Sequence, residues 1–432
     1  MDSTSTTQPL WSTVDKVGFR FFFIFFGLFV FPFPISVLPW ISSFTYQGMN
    51  VFWSWVVDFV GKNILGIQDQ MSSAMTGSGD KLYNWVMYFS ILLLAAIGTL
   101  FWSLIDQKRA NYQKLKWWFL VFLTYYLAHY MFVYGIIKIF YLQFSAPNLA
   151  TLYQNIGQVS PMRLLWTFMG SSGPYTMFSG WCETIAGLLL IVRRTRTLGG
   201  LAAFGVMLNV FMLNMSYDVP VKLFSFQLMS MGLFIALQDY KRIINFFFLN
   251  KTAEAVNYSP TFLARNTRMI TNIVLGCLAA YLIIAQAISS NNSRKQYGTL
   301  REKSPLYGVY QVDNFVINND TLPPLLTDTV RWKRLILDYP NRLTICQMDE
   351  KANWKSCNLD TTLQQLKIKI DSDTTLFHYE KMDESLKLSG IHNGDTLKID
   401  LTAYDLDNFG LLNRGFNWVN EVPYNRYNYN GK

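Results

Sequence analysis

The chain has 432 residues, of which 51% are hydrophobic, 16% aromatic and only 15% charged, a balance that excludes an ordinary soluble protein over its whole length. The formal net charge is +9, yet residues 1–289 hold 19 Lys and Arg against 10 Asp and Glu, whereas residues 290–432 hold 18 of each. Basic residues in excess only in the apolar half indicate loops beside anionic lipid rather than a nucleic-acid-binding surface.

Seven apolar stretches are long enough to cross a bilayer as helices, because about 20 residues span its hydrocarbon core. They are residues 17–40, 82–105, 117–144, 174–192, 198–215, 219–237 and 269–288. Residues 50–66 are shorter and more charged, and they predict a helix that lies in the interface. Residues 160–170 predict a short separate helix, with Ser160 as its N-cap, Pro161 at its first position and Gly170 at its end.

Basic residues in three loops predict the orientation of these spans. They are Lys108, Arg109, Lys114 and Lys116, then Arg193, Arg194 and Arg196, then Lys241, Arg242, Lys251, Arg265 and Arg268. Loops rich in Lys and Arg face the cytoplasm, so the N-terminus is expected inside and residues after 290 outside. The sequence therefore predicts an α-helical polytopic protein of a bacterial inner membrane, with the lipid bilayer as its first partner.

The last third of the chain changes pattern. Residues 290–304 predict a polar linker, and residues 305–432 predict a mostly antiparallel, extracytoplasmic β domain. Apolar and charged residues alternate with a period of two at residues 366–370 and 397–401, and shorter strands are expected at 307–317, 331–338 and 342–348. Turns are expected at 318–320, 339–341 and 393–395. The aromatic tail, residues 411–427, is expected to dock on this domain or on the membrane face.

Two cysteines of the β domain, Cys346 and Cys357, are separated by a short polar stretch. An external compartment permits a disulfide between them, and the spacing suits a hairpin. The alternative is that both are ordinary core cysteines.

Two predicted spans each carry one charge, Lys138 and Glu183, that lipid does not tolerate unpaired. A charge at the bilayer centre costs about 2.5 kcal/mol or more, so such residues normally face the bundle interior. Three interpretations stay open: a structural ion pair, a lysine that extends its ammonium to the outer headgroups, or a catalytic pair that binds substrate or moves a proton.

Further polar residues are expected to complete a ligand-binding pocket around this pair in the outer half of the bundle. They are Tyr134, Arg163, Asn214, Asp218 and Lys222. Tyr134 precedes Lys138 by four residues and shares its helical face. Asp218 has a second interpretation as the N-cap of the sixth span, and His129 is expected to point elsewhere.

Several cofactor classes lack their sequence signals. There is no G-x-x-x-x-G-K-[ST] or G-x-G-x-x-G motif, and the four cysteines show no C-x-x-C spacing, so no metal site is expected. His129 is the only histidine in the apolar half, which excludes bis-histidine haem ligation within one chain. A redox role would therefore need a diffusible carrier such as a quinone, or a partner subunit.

Two stretches carry a family resemblance. Residues 134–140 read YGIIKIF and residues 183–194 read ETIAGLLLIVRR. They resemble the glycine–lysine signature and the following helix of the DoxX/DoxD-like integral membrane family, with Lys, Glu and Arg in the expected order. The resemblance covers residues 117–240 and implies a four-helix membrane core. Some members of that family are linked to thiosulfate:quinone oxidoreduction. The two N-terminal spans, the seventh span and the β domain depart from the pattern.

The function expected first is the binding of a quinone-like amphiphile in service of a membrane redox partner, as in a subunit of a quinone-linked oxidoreductase. Lys138 would hydrogen-bond a carbonyl or oxyanion, and Glu183 would move or balance the proton. The alternative is a membrane anchor that presents the β domain to a protein or envelope component. A third is a small-molecule transporter, because the proline-rich end of the first span and the Pro161 helix resemble broken helices.

Overall fold

A computed structural model describes residues 10–255, 260, 262–370 and 372–423. The chain divides into two compact units. The first comprises Met1–Gln143 and Met177–Asn291, and the second comprises Phe144–Thr176 and Asn292–Lys432. The sequence assigned all of residues 1–289 to the helical half, so the grouping of Phe144–Thr176 with the β strands differs from that expectation.

The helices in chain order are α1 (Thr13–Val30), α2 (Ser42–Asn63), α3 (Leu82–Ile105), α4 (Gln113–Ile139), α5 (Leu149–Leu152), α6 (Pro161–Ser171), α7 (Gly173–Ile191), α8 (Arg196–Ser216), α9 (Lys222–Leu237), α10 (Tyr240–Phe247), α11 (Arg265–Gln296) and α12 (Gly410–Asn413). Within the described ranges, five helices are long and apolar enough to cross a membrane: α1 with its extension to Val37, α3, α4, α8 and α11. Two more predicted spans are also helical, as α7 with 19 residues and α9 with 16. These apolar helices are those of a membrane protein.

Three helix boundaries differ from the prediction. The first span stops being α-helical at Val30, because the following prolines lack an amide hydrogen, and a short 3₁₀ helix follows at Ile35–Val37. Helix α2 begins at Ser42, eight residues before the expected interfacial helix, in a polar stretch that has no apolar periodicity. Helix α11 continues to Gln296 through the start of the expected linker, with Arg294 and Lys295 favourably placed in its last turn.

The β part of the second unit is a closed barrel. Its strands are β1 (Gly308–Ile317), β2 (Asp320–Thr321), β3 (Trp332–Tyr339), β4 (Arg342–Gln347), β5 (Ala352–Asp360), β6 (Gln365–Ile370), β7 (Asp373–Met382), β8 (Ser385–His392) and β9 (Asp395–Ala403). All neighbours are antiparallel, and β9 pairs back on β1 with Val312 opposite Leu401. The two-residue β2 forms a hairpin with the end of β1. The expected antiparallel β domain is confirmed, and its closure leaves no long open edge.

Strand alternation places the barrel core where the sequence predicted it. Leu366, Ile368, Ile399 and Leu401 are buried in one apolar cluster together with the aromatic core side chains, among them Phe377. The predicted turns at 318–320 and 393–395 are two-residue hairpin loops, with residues 317 and 320, and 392 and 395, paired across them. Asn318, Asn319, Asn393 and Gly394 all have positive φ, between 48° and 88°, as type I′ hairpins require.

The segment Phe144–Thr176 packs on the barrel strands through α5. Leu149 lies in a buried cluster with Val309, Ile336 and Cys346. The Arg334 guanidinium lies 4.3 Å from the centre of the Tyr153 ring. Apolar burial of this kind explains why a stretch between two predicted spans belongs to the second unit.

The predicted short helix at 160–170 is α6. The Ser160 side chain accepts a hydrogen bond from the Arg163 amide at 3.2 Å, and Pro161 occupies the first position. Gly170 does not end this helix, which continues to Ser171. A Cβ at Gly170 would instead collide with the Ser145 carbonyl, so the glycine is needed for a close backbone approach.

Cys346 and Cys357 are both free, which corrects the disulfide interpretation. Cys346 on β4 lies opposite Ala352 on β5. Cys357 lies five residues after Ala352 on β5, and its amide donates a hydrogen bond to the Asn341 carbonyl at the other end of β4. Five strand positions separate the two by roughly 17 Å, and a disulfide needs a Cα separation below about 7 Å. Their side chains also belong to different buried clusters, so both are core cysteines.

Phe416 and Trp418 of the predicted aromatic tail are exposed, Trp418 at 91%. The expectation that this tail docks on the barrel is therefore wrong for these two side chains. Residues 424–427 of the tail lie outside the described residues. Phe409, which precedes the tail, does pack on the Tyr153 and Tyr404 rings.

Candidate functional site

Helices α4 and α7 touch at two glycines in the first unit. A Cβ added at Gly180 would lie 2.6 Å from the Gly135 carbonyl oxygen and 2.8 Å from Lys138 Cβ. A Cβ at Gly135 would lie 2.8 Å from the Gly180 carbonyl oxygen. Real Cβ atoms do not come so close, so both positions need glycine to let the two backbones meet.

The close contact brings together the two charged residues that the sequence singled out. Lys138 Nζ donates to Glu183 Oε1 and to Oε2, each at 2.7 Å. Lys138 is 5% exposed and Glu183 is 2% exposed. The ammonium of Lys138 therefore turns inward, which contradicts the interpretation that it extends to the headgroups. The structural pair and the catalytic pair both remain compatible with this geometry.

Tyr134 lies beside the pair, with Lys138 Nζ 5.7 Å from the centre of its ring. The rings of Tyr126, Tyr130 and Tyr134 follow one another along α4, at centroid distances of 5.0 Å and 6.3 Å. The Phe224 ring contacts Tyr130 and Tyr134 from α9. The pair is thus bordered by an aromatic row, and Tyr134 stands where the sequence placed it.

The pair and three of the close-contact glycines can be compared with the two sequence stretches singled out above, residues 134–140 and 183–194. The stretch 134–140 contributes both Gly135 and Lys138, and the stretch 183–194 contributes Glu183 and Gly187. A Cβ at Gly187 would lie 2.7 Å from the Phe132 ring. These two stretches therefore supply both charges and Gly135, whereas Gly180, the other glycine of the close contact, lies three residues before the second stretch.

Asp218 and Lys222 belong to a different cluster. Lys222 Nζ lies 2.8 Å from Asp218 Oδ1 and 3.7 Å from Asp80 Oδ2. Helix α9 begins only at Lys222, so Asp218 is not its N-cap. Asp80 takes that role, because its carboxylate accepts the Lys222 and Leu223 amides at 2.7 Å and 3.1 Å.

Asn214 and Arg163 have other surroundings. The Asn214 amide donates to Ser225 Oγ at 3.0 Å between α8 and α9. Arg163 lies on α6 in the second unit, where it lines a cavity. His129, which the sequence set aside, stacks against the Phe33 ring at a centroid distance of 6.0 Å.

The sequence interpretation missed a buried charge in the first unit, Arg20. Arg20, on α1, is 3% exposed and donates to Tyr112 Oη at 2.9 Å, to Ser103 Oγ at 2.9 Å and to the Asp106 carbonyl at 2.7 Å. Its position near the start of an apolar span was the available signal, since a charge there needs partners.

Across the described residues, no group of three or more His, Cys, Asp or Glu side chains is placed to hold a metal ion.

Comparison with known proteins gives one similarity. The chain is 30% identical over 131 residues to a protein of Bacillus subtilis (strain 168) that carries the name uncharacterized protein YwoB. The aligned part is 28% of this chain and 77% of YwoB. No family model matches the chain. No solved structure matches it.

Proposed function

This chain belongs to the same protein family as YwoB, and we propose that it is an anchored recognition protein of a bacterial cytoplasmic membrane. The helical unit holds the chain in the bilayer. The barrel unit stands outside the cytoplasm and recognises a protein or envelope component.

The buried Lys138–Glu183 ion pair is the observation that favours an anchor. Both carboxylate oxygens accept from the same ammonium, and both residues are buried. A ligand at this point would have to break two charge-assisted hydrogen bonds, each worth about 1.5–3 kcal/mol. A buried ion pair between two helices neutralises both charges in the bilayer, so it needs no ligand.

The second support is the independence of the barrel core. Within the described part of the chain, the cluster that fills the barrel consists of residues between Leu306 and Leu401, and the strands close on themselves. A closed barrel of this size is filled by its own side chains, so its loops and the part of its outer surface that α5 does not cover are left for recognition.

Seven spans, with the N-terminus inside, are proposed from the helices and the basic loops. Counting α7 and α9 as spans with α1, α3, α4, α8 and α11 puts the three basic loops on one side. Treating α7 as non-spanning would put Arg193, Arg194 and Arg196 on the opposite side from Lys108 and Arg109. The positive-inside rule favours the seven-span count.

A quinone-like ligand is a second candidate, favoured by the aromatic row Tyr126, Tyr130 and Tyr134 that ends at the pair. Flat aromatic side chains with a few polar groups suit a quinone ring. Lys138 would then donate to a quinone oxygen and Glu183 would exchange its proton, in service of a redox partner.

One double substitution separates these two candidates. Lys138→Met with Glu183→Met removes both charges and keeps side chains of similar volume, so the anchor function predicts a folded protein that complements a strain lacking the gene. Loss of complementation with normal protein levels contradicts the anchor. The quinone function predicts that loss, together with loss of any quinone that mass spectrometry finds in the protein purified in mild detergent.

A further inference from the structure

The second unit contains a cavity of about 320 Å³ that is rich in cationic groups. Its lining includes Arg163 and Trp166 from α6, Arg301 and Lys303 from the stretch that follows α11, and Asp338 and Tyr339 at the end of β3. All of these residues belong to the same compact unit. The cavity is separate from the Lys138–Glu183 pair, which lies in the first unit.

The cavity carries an excess of positive charge. Arg301 lies 3.5 Å from Asp338 Oδ1 and donates to the Asp338 carbonyl at 3.0 Å, so one cation is balanced by the one acid of the lining. Arg163 and Lys303 form no ion pair with any described residue. Two cations are therefore left for a ligand of opposite charge.

Two of the cations are already held in position by aromatic rings. The Arg301 guanidinium lies 3.8 Å from the centre of the Tyr339 ring, and Lys303 Nζ lies 4.5 Å from the centre of the Tyr307 ring. Cation–π contacts of this kind fix a side chain without neutralising its charge. A ligand would then meet cations whose side-chain entropy is already partly lost, which favours its binding.

Asp338 is the acidic residue of the cavity lining. It is 5% exposed, and burial raises the pKa of its carboxyl, which Arg301 partly offsets. Neither of its carboxylate oxygens has a hydrogen-bond partner of ideal geometry among the described residues, although Arg301 lies within ion-pair distance. The Asp338 carboxylate lies within ion-pair distance of Arg301 and helps to orient it, and the Leu149 and Ala150 backbone amides also lower the pKa of the carboxyl.

The size and the chemistry together select the ligand. A cavity of about 320 Å³ is at the small end of ligand sites, which hold about 300–1,000 Å³, so it fits a headgroup rather than a peptide. Arginine presents a planar donor fork that matches phosphate oxygens, and lysine adds a point charge. Hydroxyl groups of Ser145, Thr151 and Thr299 also line the cavity and suit an alcohol portion.

We propose that this cavity binds a phosphate ester of a small polyol, with Arg163, Arg301 and Lys303 as the phosphate-binding residues. The same chemistry occurs in a phospholipid headgroup and in a soluble phosphate ester. This inference deepens the proposed recognition role of the second unit, and it rests on that role.

The test uses the full-length protein and glycerol 3-phosphate as the probe. Isothermal titration in detergent measures the soluble source, with glycerate as a carboxylate of similar size. Binding to nanodiscs that contain phosphatidylglycerol, compared with phosphatidylcholine alone, measures the lipid source. Saturable binding of glycerol 3-phosphate, tighter than that of glycerate, supports a soluble ester, and phosphatidylglycerol dependence without it supports a headgroup.

The variants decide whether the cavity is responsible. Arg163→Gln with Lys303→Gln changes two exposed side chains, so the fold should be kept, and we expect binding to weaken at least tenfold. Lys369→Gln with Lys398→Gln removes two exposed cations that do not line the cavity and should leave binding unchanged. No saturable binding in either format, or equal weakening in both pairs, overturns the inference. If either of these results is found and the protein still has the expected membrane orientation, only the cavity inference fails and the anchor function is kept. A reversed membrane orientation would contradict the anchor function without deciding whether the cavity binds phosphate.

Discussion

Lys138 and Arg20 are both buried cations in the helical unit, yet they are stabilised by different partners. Lys138 has a carboxylate, whereas Arg20 has two hydroxyls and a carbonyl. A lysine ammonium is compact and suits one anion, while a guanidinium spreads its charge over five donors and can be satisfied by several neutral acceptors. At the scale of single residues, the arrangement of hydrogen-bond donors on each buried cation therefore matches the kind of partners that stabilise it.

Breaking the ion pair on one side should cost more than removing it. Lys138→Met leaves Glu183 buried and uncompensated, which we expect to lower the free energy of unfolding by about 3–5 kcal/mol. The double variant with Glu183→Met should recover most of that loss. Thermal unfolding in one detergent measures all three proteins. A double variant as unstable as the single one would contradict the assignment of the loss to an unpaired charge.

The two barrel cysteines should be unreactive in the folded protein. Burial raises the pKa of Cys357 to about 11, and burial also raises the pKa of Cys346. At pH 8 only about one Cys357 thiol in a thousand would be ionised, and the thiolate is the reactive form. We expect maleimide to modify both only after denaturation.

The control for that labelling is Lys398→Cys, which places a thiol on the exposed face of β9. It should react in the native protein within minutes. Rapid native labelling of Cys346 or Cys357 would show that the barrel opens locally, against the closed core seen here.

At the scale of elements, helix contacts in the first unit depend on missing side chains. Gly135 and Gly180 let α4 and α7 meet, and Gly200 and Gly232 do the same for α8 and α9, where an added Cβ at Gly200 would lie 3.0 Å from the Gly232 carbonyl oxygen. Close backbone approach raises the number of van der Waals contacts where lipid gives no hydrophobic driving force between helices. The charges of α4 and α7 can pair only because these glycines bring the helices together.

A large side chain at the α4–α7 contact should separate the helices. We expect Gly180→Leu to lower the free energy of unfolding by about 1–3 kcal/mol or more, since the backbone of α4 has to move. Gly205→Leu on α8 is the matched control, because a Cβ at Gly205 meets nothing within 4 Å. Melting temperatures in detergent compare the two, and equal values would remove the case for a close contact at Gly180.

At the scale of the whole molecule, the second unit is assembled from two distant parts of the chain. Phe144–Thr176, which runs from shortly after the end of α4 into the first turn of α7, belongs to the same unit as Asn292–Lys432. Leu149 and Tyr153 provide its packing on the strands. The proposed topology is consistent with this, because a seven-span count places residues 144–176 and residues after 296 on the same side of the membrane.

Single cysteines should report that topology in cells. In a variant without the native cysteines, we expect Lys398→Cys to react with a membrane-impermeant maleimide in intact cells. Lys251→Cys, in the third basic loop, should react only after the cells are permeabilised. Labelling of both from outside would contradict the N-in, C-out orientation.

Local pattern in the sequence predicted the long apolar helices, the strands β1, β3, β4, β6 and β9, and the candidate pair, but it did not predict β5, β7 or β8. Apolar length predicts helices, period-two alternation predicts the buried Leu366, Ile368, Ile399 and Leu401, and asparagine predicts the tight hairpins, because each of these depends on neighbouring residues only. Lys138 and Glu183 were recognisable because an apolar span makes any charge conspicuous.

Long-range pairing was decided only by the tertiary structure. Asp80 caps α9 from a position 142 residues earlier, β9 closes the barrel on β1, and Cys346 and Cys357 fall into separate buried clusters. The cationic cavity likewise joins α6 to the stretch after α11. No short-range pattern encodes these contacts, because their free energy comes from surfaces and charges that meet only after the chain has folded.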